Sequence, residues 1–179
     1  MEQATLPILL VNPPKLTYKI AILGNADCGK TTLIYRLVHG ALPEQSEPTA
    51  GVGYSNYTLH IADEDVRCQI WDIAGQERFG ALVPIYIRDT DLCLIALSMN
   101  EDSEVNRASL QHWICVIKSV ALSSRIVVVG TKCDLPNTDG TEVDVLTSSL
   151  LGIGVSELEQ AMASQISTLR LSKPIAYTA

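Results

Sequence analysis

The run LGNADCGKTT constrains this chain more than any other stretch. It fits the spacing G-x-x-x-x-G-K-[ST], with Gly24, Gly29, Lys30 and Thr31 at the fixed positions. Such a loop turns successive backbone N–H groups inward onto an anion, and its glycines permit the turn and the close approach. It needs a strand before it and a helix after it, because the helix presents its positive N-terminal end to the same anion. Both neighbours are present. KIAILG (19–24) is a short apolar run ending in glycine, and residues 30–39 read as a helix. The chemistry expected of the site is nucleotide phosphate binding: Lys30 reaches the β and γ oxygens, and the Thr31 hydroxyl ligates Mg²⁺. Asn25, Ala26, Asp27, Cys28 and Thr32 complete the cradle. Cys28 sits at a helix start beside Lys30, where a thiolate is favoured, although a small packing residue suits the same place. Asp27 serves the cradle through its backbone only if its carboxylate points away from the phosphate.

The rest of the chain alternates strands with helices. VGYSNYTLHI (52–61) and VRCQIWDI (66–73) flank the polar turn ADED and read as an antiparallel hairpin. LCLIAL (92–97) and RIVVVG (125–130) are continuous apolar runs, as expected of strands covered on both faces. Between them residues 102–121 carry a helical apolar pattern, and VDVL (143–146) with a helix over about 154–170 completes the series. The expected fold is α/β: a mainly parallel sheet with one antiparallel edge hairpin. Residues 18–170 are expected to form this domain, with an N-terminal extension over 1–17 and a C-terminal tail over 171–179.

The chain has 179 residues, enough for one buried core, and a formal net charge of −7. No Lys or Arg stripe is present, which excludes a general nucleic-acid role and leaves any phosphate to be held locally. Three of the five cysteines fall in apolar runs, which suits buried, reduced thiols and a cytoplasmic protein. The apolar run Leu6–Val11 is too short to span a bilayer and lacks a positive start. The last cysteine is Cys133, so no C-terminal prenylation box is read. Membrane contact, peripheral at endomembranes, is therefore expected only indirectly or through a missing tail.

WDIAGQERF (71–79) follows the third strand. Asp72 stands in D-x-x-G spacing to Gly75, where a carboxylate can hold Mg²⁺ and a glycine N–H can approach a γ-phosphate. Gln76 is placed to orient an attacking water. Thr49 lies eighteen positions after Thr31, in EPTAGVG. Its hydroxyl can complete the Mg²⁺ shell when triphosphate is bound, making the 40–53 loop a switch.

With these segments in place the chain resembles the Ras superfamily of small GTPases, and most closely the Rab family. GNADCGKTT, PTAGVGY, QIWDIAGQERF, IYIRD and TKCDL occur in family order. The resemblance implies a P-loop NTPase fold, with a six-stranded sheet and helices on both faces, and a GTP/GDP switch acting in vesicle trafficking. Its partners would be effectors, exchange factors and GTPase-activating proteins that meet the switch loops. It also implies an aromatic effector triad at Tyr54, Trp71 and Tyr86. In TKCDL it assigns Asp134 to guanine N1–H and the 2-amino group, and Lys132 to the base face. Thr131 stands where most of the superfamily has Asn and the Rho branch has Thr. Ser148, Ser149 and Leu150 resemble the loop whose backbone N–H reads guanine O6.

Two departures from the family pattern matter. Leu42 replaces the usual aromatic edge-on to the guanine, at a loss of about 1 kcal/mol and with faster nucleotide release. Only thirteen residues, 135 to 147, separate Asp134 from Ser148, and the strand takes four or five of them. The helix that the family carries between its fifth and sixth strands does not fit there and is expected to be missing. Three functions are compatible with these features. The first is a slow Mg²⁺-dependent GTPase, catalysed by Gln76 and Lys30, with no switch-loop arginine to act as an internal finger. Ala26 leaves room for a partner to supply one. The second is a Rab-mimicking binding module with negligible hydrolysis. The third, an ATP-using P-loop enzyme, is opposed by Asp134 and the 148–150 loop.

Overall fold

All seven positions of one strand, Leu92–Ser98, are buried, which puts that strand at the centre of the sheet. The computed structural model describes residues 17–44, 49, 51–75, 82–136 and 140–172. Six strands appear: β1 (Thr17–Leu23), β2 (Val52–Ile61), β3 (Glu64–Ile73), β4 (Leu92–Ser98), β5 (Arg125–Thr131) and β6 (Val145–Leu146). They lie in the order β2-β3-β1-β4-β5-β6. Only β2 and β3 pair antiparallel; every other pair is parallel. The helices are α1 (Lys30–His39), α2 (Val83–Ile87), α3 (Ser103–Val120) and α4 (Val155–Ser172). No helix among the described residues is long and apolar enough to cross a membrane.

The period of two along the strands divides the interior into two layers. Ile20, Ile22, Leu92 and Leu94 face Leu33 and Leu37 of α1 and Leu158, Met162 and Ile166 of α4. Ala21, Leu23, Cys93 and Ile95 face Val83 and Ile87 of α2 and Trp113 and Ile117 of α3. Both faces of the central strands are therefore dry, as their unbroken apolar runs require. The expected α/β sheet with one antiparallel edge hairpin and helices on both faces is what the chain forms.

Local differences from the expected elements have physical causes. The hairpin ladder runs through Glu64 and Asp65, because a two-residue turn, with Ala62 at φ 52°, suffices to reverse the chain. α2 carries Pro84 in its first turn, where no N–H is needed. β6 covers two residues instead of four. The carboxylate of Asp144 accepts the Val128 N–H at 2.7 Å, taking a donor that a strand backbone would otherwise use. Among the described residues, none between β5 and β6 is helical. α4 runs to Ser172, two residues past its expected end.

The cysteines divide by depth. Cys28, Cys68 and Cys93 are buried, whereas Cys115 on α3 is exposed, although its apolar surroundings in sequence suggested otherwise. Burial pushes the Cys68 thiol up to about 12 and the Cys93 thiol up to about 11. At pH 8 a maleimide should therefore modify Cys115 readily and leave Cys68 and Cys93 untouched until the protein is unfolded. Peptide mass spectrometry of briefly labelled protein reads this directly. Labelling of Cys68 or Cys93 in the native state as fast as Cys115 would contradict the packing.

Candidate functional site

The predicted residues gather along one edge of the sheet, where the parallel strands end. Such crevices are where open α/β sheets bind ligands. β1 delivers Gly24 and the phosphate loop. Gly24 has no room for a side chain, since a Cβ there would press on the Ala96 carbonyl and stand 2.8 Å from Cys28 Sγ. Asn25, Ala26 and Asp27 are exposed along the loop, and Asp27 adopts a left-handed φ of 59°. Gly29, at φ 86°, takes the cap position of α1. Cys28 is buried, and burial pushes its thiol up despite the nearby Lys30 charge. It is a packing residue and not a poised thiolate.

Lys30 is buried, and its ammonium donates to the carbonyls of Gly24 at 3.0 Å and Asn25 at 2.6 Å. The charge thus sits inside the loop that would surround a phosphate. Next to it, three oxygen groups from three separate segments meet. Thr31 Oγ1 lies 2.6 Å from Thr49 Oγ1 and donates to Asp72 Oδ2 at 2.5 Å. Asp72 is buried, and its Oδ1 has no hydrogen-bond partner among the described residues. Desolvation raises its pKa, offset in part by the Thr31 hydrogen bond, by Lys30 and by Thr49. Two hydroxyls and a carboxylate with an unsatisfied buried oxygen are the donor set of a hard divalent cation, so these residues fit Mg²⁺. Among the described residues no group of three or more His, Cys, Asp or Glu is placed to hold a metal. A cation here would complete its shell with phosphate and water.

Gly75 ends the described part of the third motif. A Cβ on it would stand 2.5 Å from the Asn25 carbonyl carbon and 2.6 Å from the Ala26 nitrogen. Its backbone therefore lies directly against the phosphate loop, as close approach to a γ-phosphate demands. Gln76, the expected water-orienting residue, lies outside the described residues.

The base-side residues are tied to the phosphate loop. Thr131 is buried, and its hydroxyl reaches the Cys28 carbonyl at 2.6 Å and the Leu97 carbonyl at 3.1 Å. Its hydroxyl thus joins the end of β5 to the loop after β1. Lys132 follows at φ 55°, and its Cε lies 3.8 Å from where a Gly29 Cβ would be. Its stem lies against Gly29 of the phosphate loop. Asp134 comes two residues later, partly buried, in a turn closed by Leu135 N–H donating to Lys132 O at 3.0 Å. The two base loops are joined as well. Cys133 N–H donates to Thr147 O at 3.1 Å, and Thr147 N–H to Gly130 O at 2.6 Å. Ser148 is fully buried and its Oγ accepts from Leu151 N–H at 3.1 Å, while Leu150 is exposed. Leu42 is partly exposed beyond the end of α1, and Thr32 is half-buried in the first turn of that helix.

The predicted aromatic triad also converges. The Tyr54 and Trp71 rings meet edge to face with centroids 5.5 Å apart, and Trp71 and Tyr86 lie 6.3 Å apart. Lys19 Nζ stands 5.0 Å from the Trp71 ring centroid. Tyr54 is about half exposed, so the cluster forms one surface across β2, β3 and α2.

Two contacts have no counterpart in the sequence motifs. Ser109 of α3 donates to the Asn25 side chain at 2.9 Å. Arg36 on α1 bonds the Ser149 and Leu150 carbonyls, more than a hundred positions away. A basic residue in the last turn of a helix is an ordinary dipole partner. Nothing in the sequence names its actual acceptors.

Comparison with known families agrees with this geometry. The model of the Ras of Complex (Roc) domain of DAPkinase matches residues 19–134, more than half of the chain. That span holds the phosphate loop, the Thr31–Thr49–Asp72 cluster and the TKCDL loop as far as Asp134. The chain belongs to the Roc family of Ras-superfamily GTPase domains, a guanine-nucleotide-binding switch fold.

Proposed function

We propose that residues 18–170 form a Rab-like G domain that binds GTP and GDP with Mg²⁺, hydrolyses GTP slowly and acts in vesicle trafficking through effectors. The single observation that carries this is the meeting of Thr31, Thr49 and Asp72, from three distant segments, within hydrogen-bond distance. Thr49 belongs to the 40–53 loop, so a ligand that engages its hydroxyl orders that loop. Thr31, Thr49 and Asp72 would hold Mg²⁺, which would supply positive charge beside the phosphates. Lys30 supplies a second, fixed cation, and Gln76 orients the water. Asn25 to Thr32 hold the phosphates, with Gly75 closing from the opposite side. Thr131, Lys132, Asp134, Leu42 and the 148–150 loop hold the base. No arginine lies in the 40–53 loop, so rapid turnover requires one from a partner protein.

The Tyr54–Trp71–Tyr86 surface is the proposed effector contact, since rigid aromatic clusters supply binding energy at low entropic cost. Exchange factors and activating proteins would approach the same switch loops. The protein would act in the cytoplasm, with membranes reached through a partner or an additional tail.

The test is to denature the purified protein, identify the nucleotide released and follow GTP conversion in a single turnover with and without EDTA. Guanine nucleotide is expected. Conversion should depend on Mg²⁺ and fall at least about tenfold in Gln76→Ala. Retained GTP that never converts would favour a non-hydrolysing Rab mimic, and adenine nucleotide would refute both.

A further inference from the structure

Arg36 lies six residues after Lys30, in the last turn of α1. Its Nε donates to the Ser149 carbonyl at 2.8 Å, Nη2 to the Leu150 carbonyl at 3.0 Å and Nη1 to the Gly40 carbonyl at 2.8 Å. The guanidinium is the side chain suited to this arrangement. It is planar, carries five donors in a fixed fork and can meet several carbonyls at once. Its acceptors belong to two segments far apart in sequence. Gly40 opens the turn that leads to Leu42, while Ser149 and Leu150 lie in the loop after β6.

That loop has few other restraints. Ser148 anchors its start through the bridge to Ile153 at 3.0 Å and through its Oγ, which accepts from Leu151 N–H at 3.1 Å, but Leu150 and Leu151 are exposed and Gly152 is left-handed. Apolar packing does not set the direction of the 149–150 peptide groups. α1 itself does not need Arg36 to dock, because Leu33, Ile34 and Leu37 already pack it on the sheet. The three hydrogen bonds therefore act on the loops and not on the core.

We propose that Arg36 is the positioning residue of the base site: it holds the 148–150 loop so that the Ser149 N–H meets guanine O6, and ties that loop to the turn carrying Leu42. This rests on the guanine-nucleotide function proposed above. Loss of Arg36 should loosen recognition at one edge of the base alone, because Asp134 reads the opposite edge from a different loop.

Two analogues separate the edges. 6-Thioguanosine diphosphate keeps N1–H and the 2-amino group but replaces O6 with sulfur, a weak acceptor. Inosine diphosphate keeps O6 and lacks the 2-amino group. Release of GDP and of each analogue is measured by competition from the wild type and from Arg36→Ala. Wild type should prefer GDP over the thio analogue by about tenfold, the size of one good hydrogen bond. In Arg36→Ala, GDP release should quicken by about tenfold and the thio discrimination should shrink to about twofold, with the inosine discrimination unchanged. If release quickens while both discriminations stay as in wild type, Arg36 is only structural and the proposal falls. It falls equally if wild type does not distinguish the thio analogue. Should circular dichroism show that Arg36→Ala has lost its helices, Arg36→Gln, which keeps one amide donor, is read by the same ratio. A wild-type protein that holds no guanine nucleotide defeats the underlying function before any variant is made, so the two failures are distinct.

Discussion

Asp134→Asn is expected to exchange guanine for xanthine as the preferred base. A carboxylate offers only acceptors, and guanine presents two donors on one edge, N1–H and the 2-amino group. Xanthine replaces the 2-amino group with a carbonyl. Against Asp134 that carbonyl meets a negative charge, whereas against an asparagine amide it meets a donor. The backbone that aims the residue is well held: Lys132 is left-handed, Leu135 N–H closes the turn onto Lys132, and Cys133 is bonded to Thr147. The substitution therefore changes chemistry at a fixed place. Each hydrogen bond to the charged group contributes about 1.5–3 kcal/mol. Inverting one and weakening another should move the GDP-to-XDP preference by on the order of 10²- to 10⁴-fold. Competition binding with both diphosphates reads this ratio. A variant that still prefers GDP by the wild-type margin would remove Asp134 from the base site.

Gly154→Ala is expected to cost the most stability of any glycine-to-alanine change among the described residues. Gly154 has φ 72°, and a Cβ there would overlap the Leu146 carbonyl oxygen and stand 2.9 Å from the Leu146 carbon. The obstacle is backbone, so no rotamer change relieves it. β6 would have to part from the start of α4. That threatens the Ser148–Ile153 bridge, the Thr147–Gly130 bond and the first bond of α4, from Leu158 N–H to Gly154 O. Left-handed strain and broken bonds together should amount to about 3–5 kcal/mol, a large share of a typical domain's stability. Urea unfolding should show a midpoint displaced accordingly. Gly140→Ala is the control, since nothing lies within 4 Å of its would-be Cβ, and it should stay within about 0.5 kcal/mol of wild type. Equal effects of the two substitutions would mean that the 146–154 corner is looser than its backbone contacts require.

Much of this protein can be read from the chain because its information is local. The phosphate loop, its strand and its helix lie within one short stretch, and α1 occupies Lys30–His39 as the apolar pattern indicates. β4 and β5 are legible because strands buried on both faces leave unbroken apolar runs. The short connection between β5 and β6 is legible by counting residues. What escapes is settled by partners far away in sequence. The truncation of β6 depends on the Asp144 carboxylate taking the Val128 N–H, and either a strand or a loop could have carried that residue. Cys115 looks buried among apolar neighbours but lies on the outer side of α3. Thr131 reads as a substitution within a motif, yet its hydroxyl connects two loops 103 positions apart. Arg36 reads as one charge at the end of a helix.

α1 also sets a length. The six steps from Lys30 to Arg36 rise ~9 Å along a rigid axis, with the phosphate-side ammonium at one end and the base-side guanidinium at the other. In the proposed site the helix would act as a ruler, setting the distance between the groups that hold the phosphates and those that hold the base. One residue inserted between Lys30 and Arg36 would leave every sequence motif intact. It would nevertheless swing Arg36 by about 100° and carry it ~1.5 Å onward, away from all three of its carbonyls. On the proposed reading, the spacing inside this helix is as much a part of the recognition site as the loops around it.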